Sequence, residues 1–85
     1  MGMINFNMIK KLIELNENDS AIIDSFNKDK IDFEYLNNLL DHGIIPGNKL
    51  IVTKIIPSLQ KILIKIDSIQ IAIRIQDAGF ILVKV

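Results

Sequence analysis

Apolar and polar positions alternate along much of the second half of the chain. Ile62, Ile64 and Ile66 fall on one side with Lys61 and Lys65 on the other. Ile69, Ile71, Ile73 and Ile75 repeat the pattern against Gln70, Ala72, Arg74 and Gln76. A period of two is that of a β-strand with one buried face. Asp67-Ser68 is then a tight connection between two strands. Residues 50–56 predict a further strand, ended at Pro57 because proline removes a ladder donor. Residues 76–79 interrupt the alternation over the length of one helical turn, and residues 80–85 predict a closing strand. Upstream, residues 21–26 predict a first strand, followed by a polar loop at 27–30.

One segment carries the helical period instead. Phe33, Leu36, Leu39 and Leu40 share a helical face, leaving Glu34, Asn37, Asn38 and Asp41 outward. Asp32 is placed to cap the free amides of the first turn. Ile31 and Leu36 stand at hydrophobic-staple spacing around it. Gly43 stands where a left-handed residue ends a helix, so the predicted helix covers about residues 32–42. Pro46-Gly47 suits a type II turn, proline setting φ at the first central position and glycine taking positive φ at the second. Near the start, Met8, Leu12 and Leu15, with Ile9 and Ile13 beside them, predict a short amphipathic helical turn that residues 16–19 break.

Five short strands and one helix predict a mainly β fold: a small, strongly bent antiparallel sheet closing on itself. Closure hides edges that an isoleucine-rich sheet would otherwise expose. An SH3-like five-stranded antiparallel barrel is the first expectation and an OB-like barrel the rival. The expected organisation is a lead-in segment over residues 1–11 and one domain over residues 12–85.

Composition narrows the functional classes. The chain has 85 residues, 49% of them hydrophobic. A domain of that size buries only about 60% of its unfolded surface, so a dense core is needed. Ten basic and ten acidic residues cancel, and no basic face is evident for nucleic-acid phosphates. The chain has no cysteine, which removes disulfides, thiolate metal sites and cysteine nucleophiles. No apolar run approaches the roughly 20 residues needed to span a bilayer. Residues 1–11 lack the charged and apolar regions of a secretory signal, so none is expected.

No constellation for catalysis is present: no ordered Ser-His-Asp set, paired carboxylates or glycine-rich phosphate loop. His42, the only histidine, adjoins Asp41 and sits where a helix C-terminus favours a cation. Asp24, Asp32, Glu34 and Asp41 form no ligand-spaced set, and a metal site wants three or four converging ligands. No catalytic residue, metal site or cofactor is therefore expected. The surplus is apolar. Leu12, Ile13 and Leu15, and Ile44-Ile45, are expected to plug the barrel ends. Pro57-Ser58-Leu59 lies at a hairpin tip with little core within reach, which makes Leu59 and Pro57 candidates for a partner interface.

Leu39-Leu40-Asp41-x-Gly43-Ile44-x-Pro46-Gly47, then Ile71-Ala72-Ile73-Arg74, then Ala78 and Ile81-Leu82-Val83 follow one another along the chain. In these motifs, their order and their spacing the chain resembles the FeoA family, small accessory proteins of bacterial ferrous-iron uptake. His42 replaces a usual leucine, Asn38 a common basic residue, and Asn18-Asp19 and Ser68 stand where glycine is frequent. The resemblance implies an SH3-like barrel and a non-catalytic cytoplasmic role. It also implies a partner: a FeoB-type ferrous-iron transporter with a cytoplasmic GTP-binding domain, which would recruit the protein to the inner membrane. Arg74, the only arginine, joins the interface candidates, either as a finger towards a GTPase or in a local salt bridge. Nucleic acid and direct membrane insertion are not expected. Weak self-association remains open. The alternatives are a regulatory domain related to the C-terminal domain of metal-dependent repressors, or a generic protein-interaction module.

Overall fold

The computed structural model describes residues 8–85. Its elements run β1 (Ile9–Lys11), β2 (Ser20–Phe26), α1 (Phe33–Asp41), β3 (Lys49–Ile56), β4 (Lys61–Ile66), β5 (Ile69–Arg74), α2 (Ile75–Ala78) and β6 (Ile81–Lys84). Single 3₁₀ turns occupy Leu12–Glu14 and Pro57–Leu59. All strand pairs are antiparallel, in the order β1-β6-β2-β3-β4-β5.

Five strands were expected and six are present. The extra one is β1, which pairs Ile9 with Lys84 and Lys11 with Leu82 and so covers an edge that β6 would otherwise expose. Three residues, two of them lysine, are too few to display alternation. Neighbouring Met8, Leu12 and Leu15 instead imitate a helical spacing. Of that expected helical turn only Leu12–Glu14 is helical: Leu12 and Leu15 are buried, while Met8, Ile9 and Ile13 are exposed. Residues 9–11 are thus part of the sheet, and residues 1–7 of the expected lead-in lie outside the described residues.

Bulges curl the sheet. The ladder between β2 and β6 slips at Asp24, and that between β3 and β4 slips at Thr53. Each extra residue bends and twists its strand. Among the described residues no ladder joins β1 to β5. That seam is spanned by α2, which lies against the 3₁₀ turn Leu12–Glu14. The barrel is closed by two helical turns, not by a continuous ring of strands.

Inward positions make one core. Ile23, Leu50, Val52, Ile64, Ile73, Ile81 and Val83 are each at most 1% exposed. Burying one such side chain contributes roughly 1.5–3 kcal/mol. Helix α1 caps this core with Leu36 and Leu39. Its start is the expected one, the Asp32 carboxylate accepting from the Tyr35 amide at 3.1 Å. Its end is a Schellman motif: the Ile44 amide donates to Leu39 and the Gly43 amide to Leu40, with Gly43 at φ +94°. The following turn carries Gly47 at φ +97° and an Asn48 amide donating to the Ile45 carbonyl, as a type II turn requires.

Candidate interaction site

Three residues stood out in the sequence as partner contacts, and the fold sets them at one end of the β3–β4–β5 sheet. Pro57 opens the 3₁₀ turn between β3 and β4, and Gln60 closes it in the left-handed region at φ +53°. Leu59, held in that turn, is 62% exposed. The turn is anchored where β5 passes into α2, because the Ile75 amide donates to the Gln60 carbonyl at 2.9 Å and Lys61 pairs with Arg74. The tip therefore presents an aliphatic side chain on a fixed backbone.

Arg74 is half exposed, with its side chain held along its own segment of chain. Its Nε donates to the carboxylate of Asp77, whose side chain is only 5% exposed, and its guanidinium lies 4.2 Å from the ring centroid of Tyr35. The hydrogen bond to Asp77 is the main cause that pushes the Arg74 pKa up, with Tyr35 adding to it. The local salt bridge is thus the observed arrangement, and the group that a finger would need is already engaged. Sequence reasoning missed both partners. Asp77 follows Arg74 by three residues across a strand-to-helix junction, and Tyr35 comes from α1, so no strand or helix period joins them.

A second apolar feature was also missed. Phe33 was expected on the buried face of α1 but is 73% exposed. With Leu36 and Leu40 of α1, it faces Phe26, Ile31 and Pro46 across a groove of about 330 Å³. The helix buries Leu36 and Leu39 in the core, while Phe33 in its first turn lines the groove together with Phe26 at the end of β2. The plug positions divide in the same way: Leu12, Leu15 and Ile44 are buried, whereas Ile13 and Ile45 are 40% and 45% exposed.

The chemical groups are accounted for by local structure. His42 caps α1, its Nδ1 donating to the Asn38 carbonyl at 2.7 Å. Among the described residues no three histidine, aspartate or glutamate side chains converge to hold a metal ion. No helix among them is long and apolar enough to cross a membrane. What the surface offers is contact area: an apolar tip, an apolar groove and fixed charges.

Comparison with known proteins gives the family and the fold. The model of the FeoA domain family matches residues 10–85. A solution structure of the FeoA protein from Chlorobium tepidum is 26% identical, with a TM-score of 0.80 over 89% of this chain and 70% of that one. A crystal structure described as iron uptake regulatory protein (FeoA) is 24% identical, with a TM-score of 0.76 over 92% of this chain and 99% of that one. A manganese-dependent transcriptional repressor shares the SH3-like fold at 20% identity and a TM-score of 0.79, covering 96% of this chain but 44% of the repressor. Among curated protein sequences the chain has no match.

Proposed function

The chain belongs to the FeoA family, and we propose that it serves as a non-catalytic accessory protein of bacterial ferrous-iron uptake. In this role it binds the cytoplasmic side of a FeoB-type transporter and modulates it. Family membership supports the iron-uptake setting. The observation that carries a docking role is Leu59, an aliphatic side chain 62% exposed on a turn whose backbone is pinned to Ile75 at the start of α2. A rigid apolar tip loses little conformational entropy on binding, so more of its contact energy appears as affinity. Pro57 preorganises the turn, and Arg74 fixes the neighbouring strand end through Asp77 and Tyr35.

The test is retention of the protein on the immobilised cytoplasmic domain of a FeoB-type transporter, with and without a GTP analogue. Leu59→Glu is expected to weaken retention by about ten-fold or more, the loss typical of an anchor residue at an interface. Thermal stability should stay that of the parent, because this side chain has little core contact to lose. Undiminished retention of Leu59→Glu would refute docking through the tip. Absence of retention for the parent protein would refute the partnership itself. The fold is shared with repressor C-terminal domains, so fold alone does not choose between an accessory protein and a regulatory module. The binding experiment does.

A further inference from the structure

The formal charge of the chain is zero, yet its charges are sorted by element. Of ten acidic residues only Asp24 stands in a strand, and it occupies the β2 bulge. Of ten basic residues only Lys28 and Lys30 stand outside the strands. Sheet register then decides which way the strand lysines face. One rung pairs Ile9 with Lys84, Lys84 with Ile22, and Ile22 with Lys49. The next runs Ser20, Ile51, Lys65, Gln70. A third joins Lys54, Leu63 and Ala72. Directly opposed residues share a face of a sheet, and the residues between them, Ala21, Ile23, Leu50, Val52 and Ile64, are buried. All three rungs therefore lie on the outer surface of the barrel.

The result is an interleaved lattice of lysines and aliphatics. Ile9, Ile22 and Ile51 are 50%, 39% and 36% exposed beside Lys84, Lys49 and Lys65. The strands of this surface carry one carboxylate, Asp24, 3.5 Å from Lys84; Glu17 also reaches β3, accepting from the Ile55 amide next to Lys54. The remaining acidic residues sit in loops, turns and helices, including Asp32, Glu34 and Asp41 in and beside α1. The basic character that net charge hides is thus concentrated on one surface.

We propose that this outer sheet surface adsorbs to an anionic lipid bilayer. Ammonium groups meet headgroup phosphates while the isoleucines between them press into the interface, the combination that holds peripheral proteins to membranes. Lipid fits better than nucleic acid. No aromatic side chain stands on these rungs to stack on bases, and stacking is what single-strand binders combine with basic grooves. Lipid also fits better than a peptide ligand, because the apolar groove lies elsewhere, against α1, and shares no residue with these rungs. Adsorption of this kind does not depend on the transporter and would place the protein at the membrane before any partner is met.

The experiment is co-sedimentation of the whole protein with vesicles of phosphatidylcholine alone and of phosphatidylcholine with phosphatidylglycerol. Binding is expected only to the second, and to vanish near 1 M salt, where the screening length is about 3 Å. A lysine near an anionic surface contributes about a five-fold factor, so Lys49→Gln with Lys65→Gln should lower partitioning about 25-fold. Lys28→Gln with Lys30→Gln makes the same change in net charge off the lattice and should leave partitioning unchanged. Ile22→Ser should weaken it without altering the salt dependence. Equal losses in the two lysine pairs, or no preference for phosphatidylglycerol, would overturn the proposal. Tighter retention on a single-stranded oligonucleotide than on vesicles would overturn it in favour of nucleic acid. Failure to bind vesicles at low salt would overturn it as well.

Discussion

Gly43 and Gly47 differ from Gly79 in a way that gives opposite responses to the same substitution. At φ +94° and +97°, Gly43 and Gly47 occupy backbone that L-residues avoid, yet a Cβ added at either meets no atom within 4 Å. The cost of alanine there is conformational, with no steric part. An L-residue held in the left-handed region costs about 1–2 kcal/mol, and restriction of the unfolded chain returns about 0.4–1 kcal/mol of that. The net loss is about 1 kcal/mol, which lowers Tm by about 4–8 °C in a domain of this size. Gly79 stands at φ −73° and ψ −15°, where alanine is at ease, and its added Cβ would lie 3.5 Å from the Gln76 carbonyl oxygen, an ordinary contact. Gly79→Ala should therefore raise Tm by about 2–6 °C through the unfolded state alone.

Thermal melting followed by circular dichroism reads these shifts, and urea unfolding with an unchanged m-value verifies that stability changed without a change in the compactness of either state. Asparagine, which enters the left-handed region more readily than alanine, should fall between glycine and alanine at both turn positions. Gly43→Ala or Gly47→Ala melting with the parent would refute the backbone account of the turn. A Gly79→Ala that falls alongside them would show that packing, not φ, sets the response.

Two further outcomes test the charged groups. Arg74→Gln should destabilise the fold more than Asp77→Asn, because the first strands a carboxylate whose side chain is only 5% exposed whereas the second leaves an exposed guanidinium to water; the reverse order of Tm would refute Asp77 as the dependent partner. The Glu17 carboxylate accepts from the Ile55 amide at 2.8 Å on the side of β3 that faces no strand, so Glu17→Ala should raise hydrogen exchange at Ile55 selectively, and uniform or absent acceleration would count against an edge-capping role.

Much of the architecture is legible in local chemistry. Asp32, Gly43 and Pro46-Gly47 act through their own backbone neighbours, so the start and stop of α1 and the turn into β3 follow from residue type. The alternating isoleucines of β4 and β5 announce their strands for the same reason. The hairpin tip with Leu59 was visible too, since Pro57 must end β3. Strand β1 was not visible, because three residues hold a register only when β6 supplies it. Phe33 was placed inside by helical period but lies outside, since period says which residues share a face and not how far the core extends beneath it. The groove, and the cluster of Arg74, Asp77 and Tyr35, join distant segments and have no signal along the chain.

By itself the sequence determined the β-rich class, the single main helix with its caps, the absence of thiol chemistry and the motifs shared with the FeoA family, because each rests on contacts a few residues apart. Tertiary structure decided the rest: the sixth strand, the helical closure of the seam, and the partner of Arg74. It also decided that a chain of zero net charge carries a basic, isoleucine-studded outer surface. Charge summed along a chain cancels irrespective of order, but β-sheet register places opposed residues on one face. Loops and helices carry the acids elsewhere.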